Sequence, residues 1–150
     1  MSEVTHQQAQ LLLRLYDLRR EPRLRQARQW FFQHFHCRTL AERAQLGAED
    51  DASLRMVVSY WEMVAALVNR GLIDDELFFE TTSEFWLVWE RLKPLAEEVR
   101  QVYGNPLLWT HLQRLAECYE AWLERRAPGA VERLRELLTA AERTRLLEAP

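Results

Sequence analysis

Residues 53–105 read SLRMVVSYWEMVAALVNRGLIDDELFFETTSEFWLVWERLKPLAEEVRQVYGN, and this stretch decides the fold. Leu54, Val57, Val58, Trp61, Val64 and Val68 recur at three- and four-residue spacing, the pattern of a helix with a buried face. Its polar stripe is narrow, only Arg55, Ser59, Glu62 and Asn69. A helix apolar on most sides sits centrally. Gly71 stops it, because glycine takes the left-handed conformation that closes a helix. Asp74 then caps a short helix that opens with Asp75-Glu76, acids facing the positive end of the helix dipole. Ile73 and Phe78 have the spacing of a hydrophobic staple across that cap. Thr81-Thr82-Ser83-Glu84 reads as a capping box for a second long helix through Phe85, Val88, Trp89, Leu92, Leu95 and Val99. Pro94 lies inside it, and a kink is predicted near 91–93. Gly104-Asn105-Pro106 reads as stop, cap and first helical position of the next helix.

Working outward, a helix is predicted over about 3–20 and another from Pro22 to Phe35, with Pro22 at its first position. Thr39-Leu40-Ala41-Glu42 is a capping box for a short helix that Gly47 ends, and the central helix then starts near Asp51. After 106–126, Ala127-Pro128-Gly129 precedes a last helix with Val131, Leu134, Leu137, Leu138 and Ala141 on one side. No strand alternation and no fixed-period repeat occurs. The expected fold is all-α, an irregular bundle of six to seven helices in one domain over 1–150: an N-terminal helix (1–20), a core (21–126) and a C-terminal amphipathic helix and tail (127–150).

Composition narrows the function classes. With 48% hydrophobic residues and six Trp, the chain has the material for a packed core, which weighs against disorder. The net charge of −3 argues against generic nucleic-acid binding. The charge is uneven: residues 1–38 hold seven Arg against Glu3, Asp17 and Glu21, a net of +4. Two cysteines, Cys37 and Cys118, form no disulfide framework and suit a reducing compartment. No apolar run approaches the roughly 20 residues that span a bilayer, and the start lacks the basic and apolar regions of a signal peptide. A cytoplasmic protein with no membrane span is the expectation.

Trp61-Glu62, Arg70-Gly71-Leu72-Ile73-Asp74-Asp75-Glu76-Leu77, Trp89-Glu90-Arg91-Leu92-Lys93-Pro94 and Arg100 together resemble an uncharacterised bacterial helical family, DUF4760. The likeness extends from Glu21-Pro22-Arg23 to Leu115-Ala116-Glu117. It is a likeness of caps and apolar positions. It implies a helical fold and brings no activity, cofactor or partner.

Candidate chemistry is sparse. His34, His36, Cys37, His111 and Cys118 are zinc-type ligands without zinc-type spacing, so no metal and no cofactor is expected. No nucleophile–base signature accompanies the cysteines and histidines, so no catalytic residue is assigned. Glu62, on the near-central helix, is a candidate buried acid that needs an Arg partner or a raised pKa. Arg19, Arg20, Arg23 and Arg25 are candidate anion-binding residues. Leu77, Phe79, Trp86 and Leu87 lie off the expected core face and are read as an interaction surface. The leading expectation is a protein-interaction or self-association module, a homo-oligomer or the partner of another protein, without catalysis. On that reading Trp86→Glu shifts the mass toward monomer without unfolding. The alternative is a small-ligand or anion-binding regulatory protein using the Arg-rich first helices.

Overall fold

The structure, a computed structural model, describes residues 3–148. Among them are eight helices and no strand: α1 (His6–Arg19), α2 (Pro22–His34), α3 (Leu40–Arg43), α4 (Ala48–Asn69), α5 (Asp75–Thr81), α6 (Glu84–Val102), α7 (Thr110–Arg126) and α8 (Ala130–Glu148). The all-helical expectation holds. The helix count exceeds the expected six to seven, with both short helices that the caps at Thr39 and Asp74 announce, α3 and α5, present as elements of their own. The chain divides into two compact units after Ala116.

In the first unit, α4 packs against α2 and α5, α1 against α2, and α3 against α6. Its core is strongly aromatic. Phe31 and Phe35 stack at 4.8 Å between ring centroids. Phe85 of α6 gathers Phe78 at 5.3 Å, Phe79 at 6.0 Å and Trp61 at 6.3 Å. Each such ring contributes about 1.5–3 kcal/mol by leaving water. α6 runs as one helix from Glu84 to Val102 with Pro94 inside it.

Local signals explain most boundaries. Thr5 caps α1 by accepting from the Gln8 N–H, and Pro22 takes the first turn of α2. Thr39 accepts from the Glu42 N–H, and Asp74 accepts from the Leu77 N–H at 2.9 Å. Three expected boundaries differ. Gly47 opens α4 as its N-cap rather than ending α3, so Glu49, Asp50 and Asp51 occupy the first turn, where acids favour the dipole. Ser83 precedes α6 but makes no side-chain cap bond; Glu84 is drawn instead to arginines of α1 and α2. α7 begins at Thr110, not Pro106.

Gly71 has φ +76, with its N–H on the Val68 carbonyl at 2.9 Å and the Leu72 N–H on the Leu67 carbonyl at 3.1 Å. This is the paired closure of a Schellman turn. A Cβ at Gly71 would meet no neighbour within 4 Å, so a substitution costs only backbone conformation. Gly71→Val is therefore expected to cost about 1–2 kcal/mol, and Gly71→Asn, which tolerates the left-handed region, much less. Chemical denaturation of both variants checks this; equal stability of Val and parent would contradict it.

The second unit holds the end of α7 and α8. Gly129 (φ +85) turns the chain, its N–H on the Glu124 Oε1 at 2.7 Å. Tyr119 and Trp122 stack at 5.8 Å, Arg126 lies 4.7 Å over the Trp122 ring, and Arg135 pairs with Glu120 at 2.5 Å. Val131 is buried, whereas Leu137, Leu146 and Leu147 are exposed.

Candidate functional site

The residues expected to form an interaction surface do not make an exposed patch. Trp86 is 1% exposed and Phe79 5%, both within the core; Leu77 and Leu87 are half-buried. Two settings explain this. α6 buries Phe85, Trp86, Val88, Trp89, Leu92, Leu95, Ala96 and Val99, more than one face, so a residue on its flank is still inside; on α5, Phe79 packs against Phe78 and Phe85.

The four candidate arginines do not converge either. Arg20, Arg23 and Arg25 are exposed on α1 and α2. Arg19 alone turns inward, its Nη1 3.6 Å from Glu84 Oε2. Arg28, one turn beyond Leu24 on α2, is the stronger partner. It donates from Nε to Glu84 Oε1 at 2.7 Å and from Nη2 to Oε2 at 2.5 Å, a bidentate fork. Its Nη1 also donates to the Arg19 carbonyl at 3.2 Å. The Glu84 carboxylate raises the already high pKa of Arg28. Beside them Tyr60 donates its hydroxyl to the Leu15 carbonyl at 2.6 Å. Burial pushes its phenol up to about 12, although Arg19 and Arg28 pull it down.

Next to this cluster is a cleft of about 290 Å³ between α1, α4 and α5. Leu12, Leu15, Val64 and Phe78 give it apolar walls, and Tyr16 and Leu13 form exposed lips. Two residues of its lining also carry a sealed donor: the Nε1 of Trp61, a residue 1% exposed, and the Nε of Arg19 have no protein acceptor and are closed to solvent. Such groups are rare in folded proteins because a lost hydrogen bond costs about 1–3 kcal/mol.

Glu62 lies at a second, more open groove of about 560 Å³, beside Met63, Arg43, Leu107 and Trp109. It is half-buried, and its hydrogen bonds run to backbone rather than to the expected Arg. Its carboxylate accepts from the His111 N–H at 3.1 Å and the Leu112 N–H at 2.7 Å. These are first-turn donors of α7 that no residue within the helix can satisfy. Glu62 is therefore a capping carboxylate supplied from α4, at the positive end of α7. Asn69 adds a bond to the His111 carbonyl at 3.0 Å. The approach to α7 is strained at Trp109, φ +61, a conformation that costs a bulky residue about 1–2 kcal/mol. Arg100 steadies it, donating to the Leu108 carbonyl at 2.8 Å and to Gln113 at 2.9 Å. Glu62→Ala is expected to cost about 2 kcal/mol, the worth of a cap made by a charged acceptor. That corresponds to a melting temperature roughly 4–8 °C lower; a shift below about 1 °C in a thermal melt would contradict the capping role.

Among the described residues, no group of three or more His, Cys, Asp or Glu is placed to hold a metal ion. His34 and His36 are exposed. Cys37 is buried, and that burial, then Glu42, pushes its thiol up, which makes it a poor nucleophile. Cys118 is free and exposed.

The first unit thus carries two concavities on its central helix α4, and the carboxylates near both, Glu84 and Glu62, have structural roles. The chain belongs to the DUF4760 family, a domain of unknown function, whose family model matches residues 4–122. No curated protein and no solved structure matches it. No helix among the described residues is long and apolar enough to cross a membrane.

Proposed function

We propose that this chain is a binding domain without chemistry of its own, and that it holds a small ligand in the cleft between α1, α4 and α5. The observation that carries this reading is the cleft itself, about 290 Å³ with apolar walls from Leu12, Leu15, Val64 and Phe78 and the Arg19 side chain in its lining. A mainly apolar concavity with a few polar side chains in its lining is the usual anatomy of a ligand site. The carboxylates beside the two concavities, Glu62 and Glu84, are engaged by backbone N–H groups and by arginines, which supports binding over acid–base catalysis. A cytoplasmic location belongs to the same reading and is supported by the two free cysteines. A neutral probe tests the cleft. At a concentration tenfold above its Kd, 1-octanol is expected to stabilise the protein by about 1.4 kcal/mol, roughly 3–6 °C in a melt. Thr81→Trp, at an exposed position of the cleft wall, is expected to remove the shift. No shift with the parent protein would sink the reading.

Self-association is a second reading, favoured by Leu107, 72% exposed, and Met63, 48% exposed, on the groove along α4. Light scattering at micromolar concentration is then expected to give a dimer mass that Leu107→Glu reduces to monomer; a monomer in the parent protein removes it.

A further inference from the structure

We propose that the groove along α4 receives a second copy of this chain, which seats the exposed face of its own α8 there. This rests on the self-association reading above and names the two surfaces that meet.

The groove has a direction. Leu54, Val58, Met63 and Ala66 form one face of α4 along it, and Leu107 and Trp109 line it as well. Met63 and Leu107 are open to water. The end nearest the start of α4 is positive. Arg43 and Arg55 both donate from Nε to Asp51, one to Oδ1 and one to Oδ2, each at 3.0 Å. Two guanidinium groups thus share one carboxylate, and the Arg55 side chain is 66% exposed. The other carboxylate in the lining, Glu62, is already met by the N–H groups of α7. The partner that complements this groove is a helix with an apolar stripe that ends in an acid.

α8 carries such a stripe. Leu137, Ala140, Ala141 and Thr144 recur at three- and four-residue spacing, so they share one face, and Glu148 follows one turn later. All of them are exposed. The other side of α8 is the one turned into its own unit, where Val131 is buried and Leu134 and Leu138 are half-buried. The lengths agree. At about 1.5 Å per residue, Leu137 to Glu148 rises about 16 Å along α8, and Ala66 to Arg55 the same distance along α4. Antiparallel seating sets Leu137 beside Met63 and Ala66, and Glu148 beside Arg55. Glu148 also stands at the negative end of its own helix dipole, which a guanidinium from the second copy offsets. Two copies that exchange α8 reciprocally close a two-fold dimer.

Two variants, each with one surface spoiled, test the pairing by light scattering. Leu107→Glu spoils the groove and keeps α8; Leu137→Asp spoils the α8 stripe and keeps the groove. Both positions are exposed, and circular dichroism confirms that both variants fold. Each alone is expected to be a monomer across the micromolar range in which the parent protein is a dimer. An equimolar mixture is expected to regain dimer mass, because the intact α8 of one meets the intact groove of the other. Leu146→Glu, on a different side of α8 and 65% exposed, is expected to stay a dimer. Arg55→Glu and Glu148→Arg are each expected to raise the dimer Kd at least about fivefold, and the double variant to return it to within about twofold of the parent. A parent dimer that survives Leu137→Asp, or two monomeric variants that fail to pair when mixed, overturns the seating of α8 in the groove and leaves the self-association reading standing. A monomeric parent protein overturns that reading as well.

Discussion

Trp86→Glu is expected to abolish the cooperative thermal transition and most of the helical circular dichroism signal. Trp86 is 1% exposed on α6. Removing a buried Trp ring costs about 3–5 kcal/mol, and an unpaired carboxylate in its place adds several more through lost hydration. Together they approach or exceed the roughly 5–15 kcal/mol by which a domain is stable. Leu107→Glu is the matched control. At 72% exposed, it is expected to change stability by no more than about 0.5 kcal/mol. A Trp86→Glu protein that remains folded would mean that Trp86 faces solvent.

Glu84→Ala is the second large effect. The carboxylate joins α6 to Arg28 of α2 and faces Arg19 of α1, and the side chains of Glu84 and Arg28 are mostly buried. Removing one partner of such a pair leaves the other charge uncompensated, for which about 3 kcal/mol is expected. In a chain of this length that lowers the melting temperature by roughly 6–12 °C. A thermal melt within about 2 °C of the parent would contradict the buried pair.

The elements most legible in the sequence are those governed by local chemistry. Gly71 closes α4 in the left-handed conformation, and Asp74 caps α5, because each signal acts within a few residues of itself. The periodicity of Leu54 to Val68 marked a central helix, and α4 does carry both concavities. What could not be read is what tertiary packing decides. Glu62 reads on its own helix as a lone acid in a polar stripe; its partners are backbone groups some 49 and 50 residues away. Arg28 reads as one of a run of arginines, and only the approach of α6 singles it out for Glu84. Trp86 looks surplus on a helical wheel drawn with one buried face, but α6 is enclosed beyond that face, and Phe79, on α5, lies against Phe85. Thr81 reads as the cap of a box with Glu84, but it is the last residue of α5, its hydroxyl on the Leu77 carbonyl, and Glu84 is held by arginines. Trp109 enters α7 at positive φ, a state that no sequence rule assigns to tryptophan. Of the cleft, Arg19 reads as a candidate in the sequence, while Leu12, Val64 and Phe78 read as ordinary apolar positions, because a concavity exists only once three helices are in place.

The most direct measurement of the central claim is a proton–nitrogen correlation spectrum of the protein titrated with 1-octanol. The backbone N–H resonances of the cleft residues Leu12, Leu15, Val64 and Phe78 are expected to move along one saturable curve, and those of Met63 and Leu107 on the other groove to stay in place. Cleft resonances that remain fixed at saturating 1-octanol would contradict the account.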